Sequence, residues 1–370
     1  MLNRRQEIPS SCRSSLYVSN DNVPEILTQH SNLEPTGNHE EFDYRTMVSV
    51  EDQRRYGRRF FFFFKAYRDV SFLLYTRANA DRAQTIRWNS STADMQQLFF
   101  NPNHPTRFII HGWMSGGGWE PSHQIKNEYL KIGDFNIIVV DWGAGASSWP
   151  YFLSRKRVAS VGEVVARLID NLVASSGISY TDITLIGFSL GAHVAGNAGK
   201  YLKGKLGTII ALDPAGPEFS YGDSDILHQD DAEYVEVLHT SKFAGFEDPL
   251  GDADFYANID ERNQPGCIFL TCPHSRAHEY FTESLNSPIG FWATPQQSYF
   301  TVTNDRNLRM DQKVAMGGEP SNRDRGVRGI YYFETNSEPP YAIKNGMSDS
   351  RMVELEPQLW NSVDISIYVN

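Results

Sequence analysis

Cysteine is scarce in this chain of 370 residues: Cys12, Cys267 and Cys272 are all it has. Three are too few for the multi-bridge framework that replaces a core in small secreted domains. One bridge between Cys267 and Cys272 is open to the chain, and spacing alone does not decide it. Long apolar runs are missing too. No stretch approaches the roughly 20 residues that a membrane-spanning helix requires. The segment from Met1 to Val50 is polar and charged, with no apolar stretch behind Arg4 and Arg5, so it does not read as a signal peptide. Basic residues are outnumbered, 34 Lys and Arg against 45 Asp and Glu, for a formal net charge of −11. Nucleic-acid binders need a basic face, and bulk attraction to anionic membranes needs a positive surface, so neither is expected. No internal repeat is visible.

What the chain does have is material for a core. Hydrophobic residues make up 40% and aromatics 13%, enough for one large α/β domain with tails. Residues 1–55 mix Ser, Asn, Glu, Asp and Arg without periodicity and read as a disordered N-terminal tail. Order is expected from residue 56 to residue 342, followed by a C-terminal tail over 343–370. The run Phe60–Phe64 reads as a buried strand, because exposed it would be an aggregation hazard. Asn89-Ser90-Ser91 is a lone glycosylation sequon, weak evidence of export by itself.

From Phe108 onward short apolar strands alternate with helical patterns. Phe108–Ile110, Asn136–Val140, Ile183–Ile186, Thr208–Leu212 and Tyr234–Leu238 read as strands, with Val70–Thr76 an earlier candidate. Val161, Val164, Val165, Leu168, Ile169 and Leu172 recur at helical spacing and predict an amphipathic helix over Val158–Ala174. A second helix is expected over Ala192–Leu202. Alternation of this kind means a mostly parallel sheet with helices on both faces, and the chemistry of such sheets collects at the carboxyl ends of strands.

Gly187-Phe188-Ser189-Leu190-Gly191 fits Gly-x-Ser-x-Gly. A β-run feeds straight into it and a helix rich in small residues leaves it, the strand-turn-helix setting of a nucleophile elbow. Gly187 and Gly191 keep side chains away from a strained, crowded turn. A serine hydroxyl is a weak nucleophile until a histidine takes its proton and an acid holds that histidine's tautomer. In this setting the acid and then the histidine follow the serine in the chain. Asp213 ends the run Thr208–Leu212 and is stopped by Pro214; Asp231, Asp252 and Asp254 are rivals. His228, His239, His274 and His278 are the candidate bases. His239 ends a strand and is open to a structural role, whereas His274 falls in an expected loop after Cys272-Pro273. Spacing gives His274 only a modest preference.

Several ordered motifs then point one way: Phe108-Ile109-Ile110-His111-Gly112-Trp113, Val140-Asp141-Trp142, Gly187 to His193, Leu212-Asp213-Pro214-Ala215-Gly216-Pro217, Glu236-Val237-Leu238-His239-Thr240, Ala253-Asp254-Phe255-Tyr256, Gln264-Pro265-Gly266-Cys267 and Cys272-Pro273-His274-Ser275-Arg276. From about Asp69 to Ala342 the chain resembles the pancreatic-lipase-like neutral lipases, especially their insect branch with phospholipases A1. The resemblance implies an α/β-hydrolase fold, no cofactor, and Ser189, Asp213 and His274 as a triad. The backbone N–H of Leu190 is one oxyanion donor of such a fold; the resemblance makes that of Trp113 the second. It leaves His111 and His193 structural, and it sets Cys267 and Cys272 as a disulfide pair around the lid segment.

Here only Ile268, Phe269, Leu270 and Thr271 lie between those cysteines, a hairpin too small to cover an acyl pocket, and the stretch Ser241–Asp252 is compact. In the related enzymes short loops here accompany phospholipase A1 selectivity. The expected activity is therefore hydrolysis of lipid acyl esters at an interface or micelle, phospholipase A1-type first and neutral-glyceride lipase as the alternative. A catalytically inactive lipid-binding protein, as the related yolk proteins are, fits less well, because those lack the serine. Asp231 fits the calcium position of the pancreatic members, but Ile226 and His228 depart from it, so no metal is expected. Too few residues follow Ala342 for the C-terminal sandwich of the vertebrate enzymes, so no colipase partner is expected. The resemblance points to an extracellular protein, although no signal peptide is visible.

Overall fold

The computed structural model describes residues 64–258, 263–296 and 313–344. The expected N-terminal tail and all but the first two residues of the expected C-terminal tail lie outside the described residues, as do Phe60–Phe63. Phe64, the last of that run, corrects the strand reading for its own position. It is half-buried coil under the Arg157 guanidinium, 4.8 Å from its ring centroid.

The strands are β1 (Ser71–Tyr75), β2 (Gln84–Ile86), β3 (Thr106–Ile110), β4 (Asn136–Asp141), β5 (Ile183–Phe188), β6 (Thr208–Leu212), β7 (Val235–His239), β8 (Ala253–Ala257), β9 (Phe291–Gln296), β10 (Val314–Met316) and β11 (Gly329–Phe333). They form an 11-stranded sheet in the order β10-β9-β11-β8-β7-β6-β5-β3-β4-β1-β2. The block from β11 to β4 is parallel throughout, and antiparallel pairs close both ends. Strands β3, β5, β6, β7 and β8 are buried along their whole length, which is why β5 and β6 read as apolar runs without alternation; β8, with Asp254 inside it, gave no such run.

Four long helices cover the sheet: α1 (Glu120–Ile132), α2 (Val158–Ser176), α3 (Leu190–Tyr201) and α4 (Cys272–Ser284). Successive residues of β4 enter different cores, as a period of two requires. Ile138 and Val140 pack with α2 and α3, while Ile137 and Val139 pack with α1 and α4. Each such buried aliphatic side chain contributes about 1.5–3 kcal/mol. The six apolar positions that predicted α2 are all buried, and the helix stops at Gly177, whose φ of 77° is the left-handed cap that glycine tolerates. Helix α4 corrects the loop expected around His274. Pro273 lies in its first turn, where a missing N–H costs nothing and the fixed φ suits the helix, so the dipeptide starts a helix instead of interrupting the chain.

The order places β3 between β4 and β5, so the chain leaves β3 on one side and returns on the other. A topological switch point of this kind opens a crevice beyond the carboxyl ends of the two strands. Strand β5 ends there in Ser189, and β3 ends there in His111-Gly112-Trp113.

Candidate active site

Ser189 joins β5 to α3 with no intervening loop, at φ 56° and ψ −123°. That backbone is strained for any residue with a Cβ. The flanking glycines have no room for a side chain. A Cβ on Gly187 would lie 2.3 Å from the Gly191 carbonyl oxygen, and one on Gly191 would lie 2.2 Å from that of Ile110. Helix α3 is buried from Leu190 to Gly199, so its N-terminal amides face the site from a fixed position. On the other side of the crevice, a Cβ on Gly112 would sit 2.8 Å from the Ser189 Cβ, which puts the His111–Trp113 backbone directly against the serine. The Trp113 indole donates to the Ser148 carbonyl (3.1 Å) and its ring packs edge-on against Tyr151, 5.3 Å between centroids.

Asp213 follows β6 at φ 45° and is wholly buried. Its carboxylate is surrounded by donors. Oδ1 accepts the amides of Thr240 (2.8 Å) and Ser241 (3.1 Å), and Oδ2 accepts the Ser241 hydroxyl and His274 Nδ1, the latter at 2.5 Å. The His274 ring lies against Phe188, the residue before Ser189, at 4.6 Å between centroids. Through Phe188 the histidine of α4 and the serine turn are in one cluster.

The other acids and histidines have different partners. Asp231 is bound by the Lys200 ammonium (2.6 and 2.7 Å) and the His228 amide (2.8 Å). Its lone pairs are thus taken by a fixed cation and an amide, and these residues do not fit a calcium ion. Asp252 pairs with Arg328, and Asp254 with His239 at 2.9 Å. His239 also contacts the Phe246 carbonyl (2.8 Å), so both its nitrogens are used within the fold. His111 accepts the Trp142 amide (3.2 Å) and stacks on that indole, tying β3 to β4. His193 reaches the Ala215 carbonyl (2.8 Å) and accepts the Leu227 amide (3.1 Å); burial pushes its pKa down to about 4. His278, one turn beyond His274, is buried edge-on against Phe188 and Trp119, and burial followed by the neighbouring His274 lowers its pKa to about 3.

Cys267 and Cys272 form a disulfide, and the loop it closes leaves Ile268, Phe269 and Leu270 exposed at 73%, 43% and 59%. Reading the sequence missed Thr240 and Ser241. The available signal is positional: β7 lies beside β6, so the residues that end β7 must fall beside the acid that ends β6.

The strand order, the serine turn at the switch point and the acid–histidine pair beside it define an α/β-hydrolase fold. The Lipase family model matches residues 64–341. The chain belongs to that family. It is 36% identical over 243 residues to Lipase member H-A of Xenopus laevis, covering 62% of this chain and 51% of that protein. It is 35% identical over 258 residues to Phospholipase A1 1 of Dolichovespula maculata, covering 65% of this chain and 80% of that one. Phospholipase A1 4 of Polistes dominula is 33% identical over 259 residues, with 66% and 81% covered. The chain thus spans about half the length of the frog relative, 51%, and most of the wasp proteins.

Proposed function

We propose that the protein is a serine carboxylic-ester hydrolase that cleaves acyl esters of lipids, with phospholipase A1-type selectivity. The observation that carries the hydrolase reading is the contact between His274 and the buried Asp213 beside the serine elbow. In this reading Asp213 holds the proton of His274 on Nδ1, which leaves Nε2 to take the Ser189 proton. Ser189 attacks the ester carbonyl, and the N–H groups of Leu190 and Trp113 receive the oxyanion. His274 returns the proton to the departing alcohol, leaving an acyl-enzyme. Water, deprotonated by the same imidazole, then releases the fatty acid. Selectivity for phospholipid is supported by the short disulfide-closed loop at 267–272, a segment too small to cover an acyl pocket and its bulky polar head group. The disulfide also suits an extracellular setting. Among the described residues no helix is long and apolar enough to cross a membrane.

Hydrolysis of a soluble short-chain ester by the wild type and by Ser189→Ala tests the chemistry. Loss of activity in the variant is expected, and equal turnover would overturn the reading. Comparing fatty-acid release from phosphatidylcholine and triolein tests selectivity; preference for triolein would favour a neutral-glyceride lipase.

A further inference from the structure

We infer that Ser241 is a positioning residue for His274: its hydroxyl shares one oxygen of Asp213 with the imidazole and so limits the negative charge that the base feels. The inference rests on the triad proposed above. A carboxylate oxygen has two lone-pair sites. On Asp213 both oxygens are filled, Oδ1 by two backbone amides and Oδ2 by the Ser241 hydroxyl and His274. The acid cannot rotate toward another donor without breaking a bond in its buried surroundings.

The loop that carries Ser241 is built onto this carboxylate. The Gly216 amide donates to the Ala244 carbonyl (2.8 Å) and the Phe246 amide to the Pro214 carbonyl (2.7 Å), which zips the segment after β7 to the segment after β6. Gly245 lies so close that a Cβ there would be 2.5 Å from Asp213 Oδ1. Ser241 is therefore held in register with the acid, and its hydroxyl is aimed by the backbone on either side.

Two donors on one oxygen divide its charge. With the hydroxyl present, the imidazolium formed in each half-reaction is stabilised less than by a carboxylate facing it alone. The hydroxyl thus sets how strongly the acid acts on the base. Among the described residues, charged and titratable groups approach His274 from β6, the β7 loop and α4. Asp213 faces it from β6, and Lys242 follows Ser241 on the β7 loop, exposed. Arg276 and His278 share α4 with it, Arg276 paired with Glu279. Among the described residues, Asp213 makes the hydrogen bond to the ring.

The test is the pH dependence of kcat/KM on a soluble short-chain ester for wild type, Ser241→Ala and Ser241→Thr, with Ser189→Ala as control. In Ser241→Ala the full charge of Oδ2 faces His274. The acid limb of kcat/KM should then move up by about half a pH unit, a loss of at most about threefold at any pH along the limb. Ser241→Thr keeps the hydroxyl and should restore the limb. A slower Ser241→Ala enzyme with an unmoved acid limb, or a Thr variant that behaves like Ala, would leave Ser241 as packing and overturn the inference. Activity surviving in Ser189→Ala would instead overturn the triad itself, so the two failures are distinguishable.

Discussion

Replacing Gly112 by alanine separates the proposed oxyanion donor, the Trp113 backbone, from the rest of the proposed machinery. The new Cβ would lie 2.8 Å from the Ser189 Cβ, where ordinary contact begins near 3.4 Å, so the two backbones must part by about 0.6 Å. The elbow cannot supply that movement. Gly191 is already pressed against the Ile110 carbonyl, and α3 behind it is fully buried. The His111–Trp113 segment must move instead, and the Trp113 N–H moves with it. A hydrogen bond of about 2.9 Å stretched by that amount reaches about 3.5 Å, the edge of a useful interaction. Loss of one oxyanion donor costs about 10²–10³ in kcat, or roughly 3–4 kcal/mol of transition-state stabilisation. The overpacking itself costs about 1–3 kcal/mol of stability, a Tm drop of several degrees for a domain this size. The assay is kcat and KM on a soluble ester beside a thermal melt. The expected variant is folded, with near-normal KM and kcat down about a hundredfold. A folded variant with kcat within about threefold of wild type, under 1 kcal/mol, would show that this backbone donates nothing to the oxyanion.

Acid should destabilise the fold through two buried histidines. His193 and His278 stay neutral in the folded chain down to about pH 4 and about pH 3, whereas the unfolded chain binds those protons below 6.5. Their contribution is complete above pH 6.5 and is lost as pH falls toward those values, at up to about 1.4 kcal/mol per unit for each ring. Urea melts at pH 7 and pH 5 measure the slope, and His278→Phe should make it shallower; an unchanged slope would mean that the ring is solvated when folded. Lys200→Met strips the buried Asp231 of its cation and should destabilise the chain by about 2 kcal/mol, less than a fully buried pair because Lys200 is partly exposed. The wild-type melt should be indifferent to EDTA, and a lower Tm in chelator would mean that Asp231 does hold a metal.

The central strands were legible because each is buried on both faces and leaves a run of Ile, Val and Leu with no competing period. The elbow was legible because its strand, turn and helix are contiguous in the chain. Helix α1 was not read, since its buried side includes Ser122 and Lys126 among Ile125, Tyr129 and Leu130, which blurs the apolar stripe. The antiparallel edge of β9 and β10 was not read either, because β9 alternates burial over few residues and contains Pro295. The acid and the histidine posed a different problem. Asp213 and His274 are 61 residues apart, and only the tertiary fold, which lays the first turn of α4 beside the end of β6, brings them to 2.5 Å. Spacing therefore left four histidines open. Ser241 was invisible for the same reason: nothing local marks a serine as the neighbour of an acid 28 residues earlier, on the far side of β7.

The backbone at Ser189 has a consequence for how the protein can change over time. A φ of 56° burdens every side chain at that position and spares glycine alone. Relief of such strain is worth about 1–3 kcal/mol, and glycine's extra freedom in the unfolded chain returns only about 1 of it. Ser189→Gly should accordingly melt higher than the wild type while hydrolysing nothing. The proposed reaction would be maintained against the grain of the fold, and a descendant that no longer needed it would gain stability by losing Ser189.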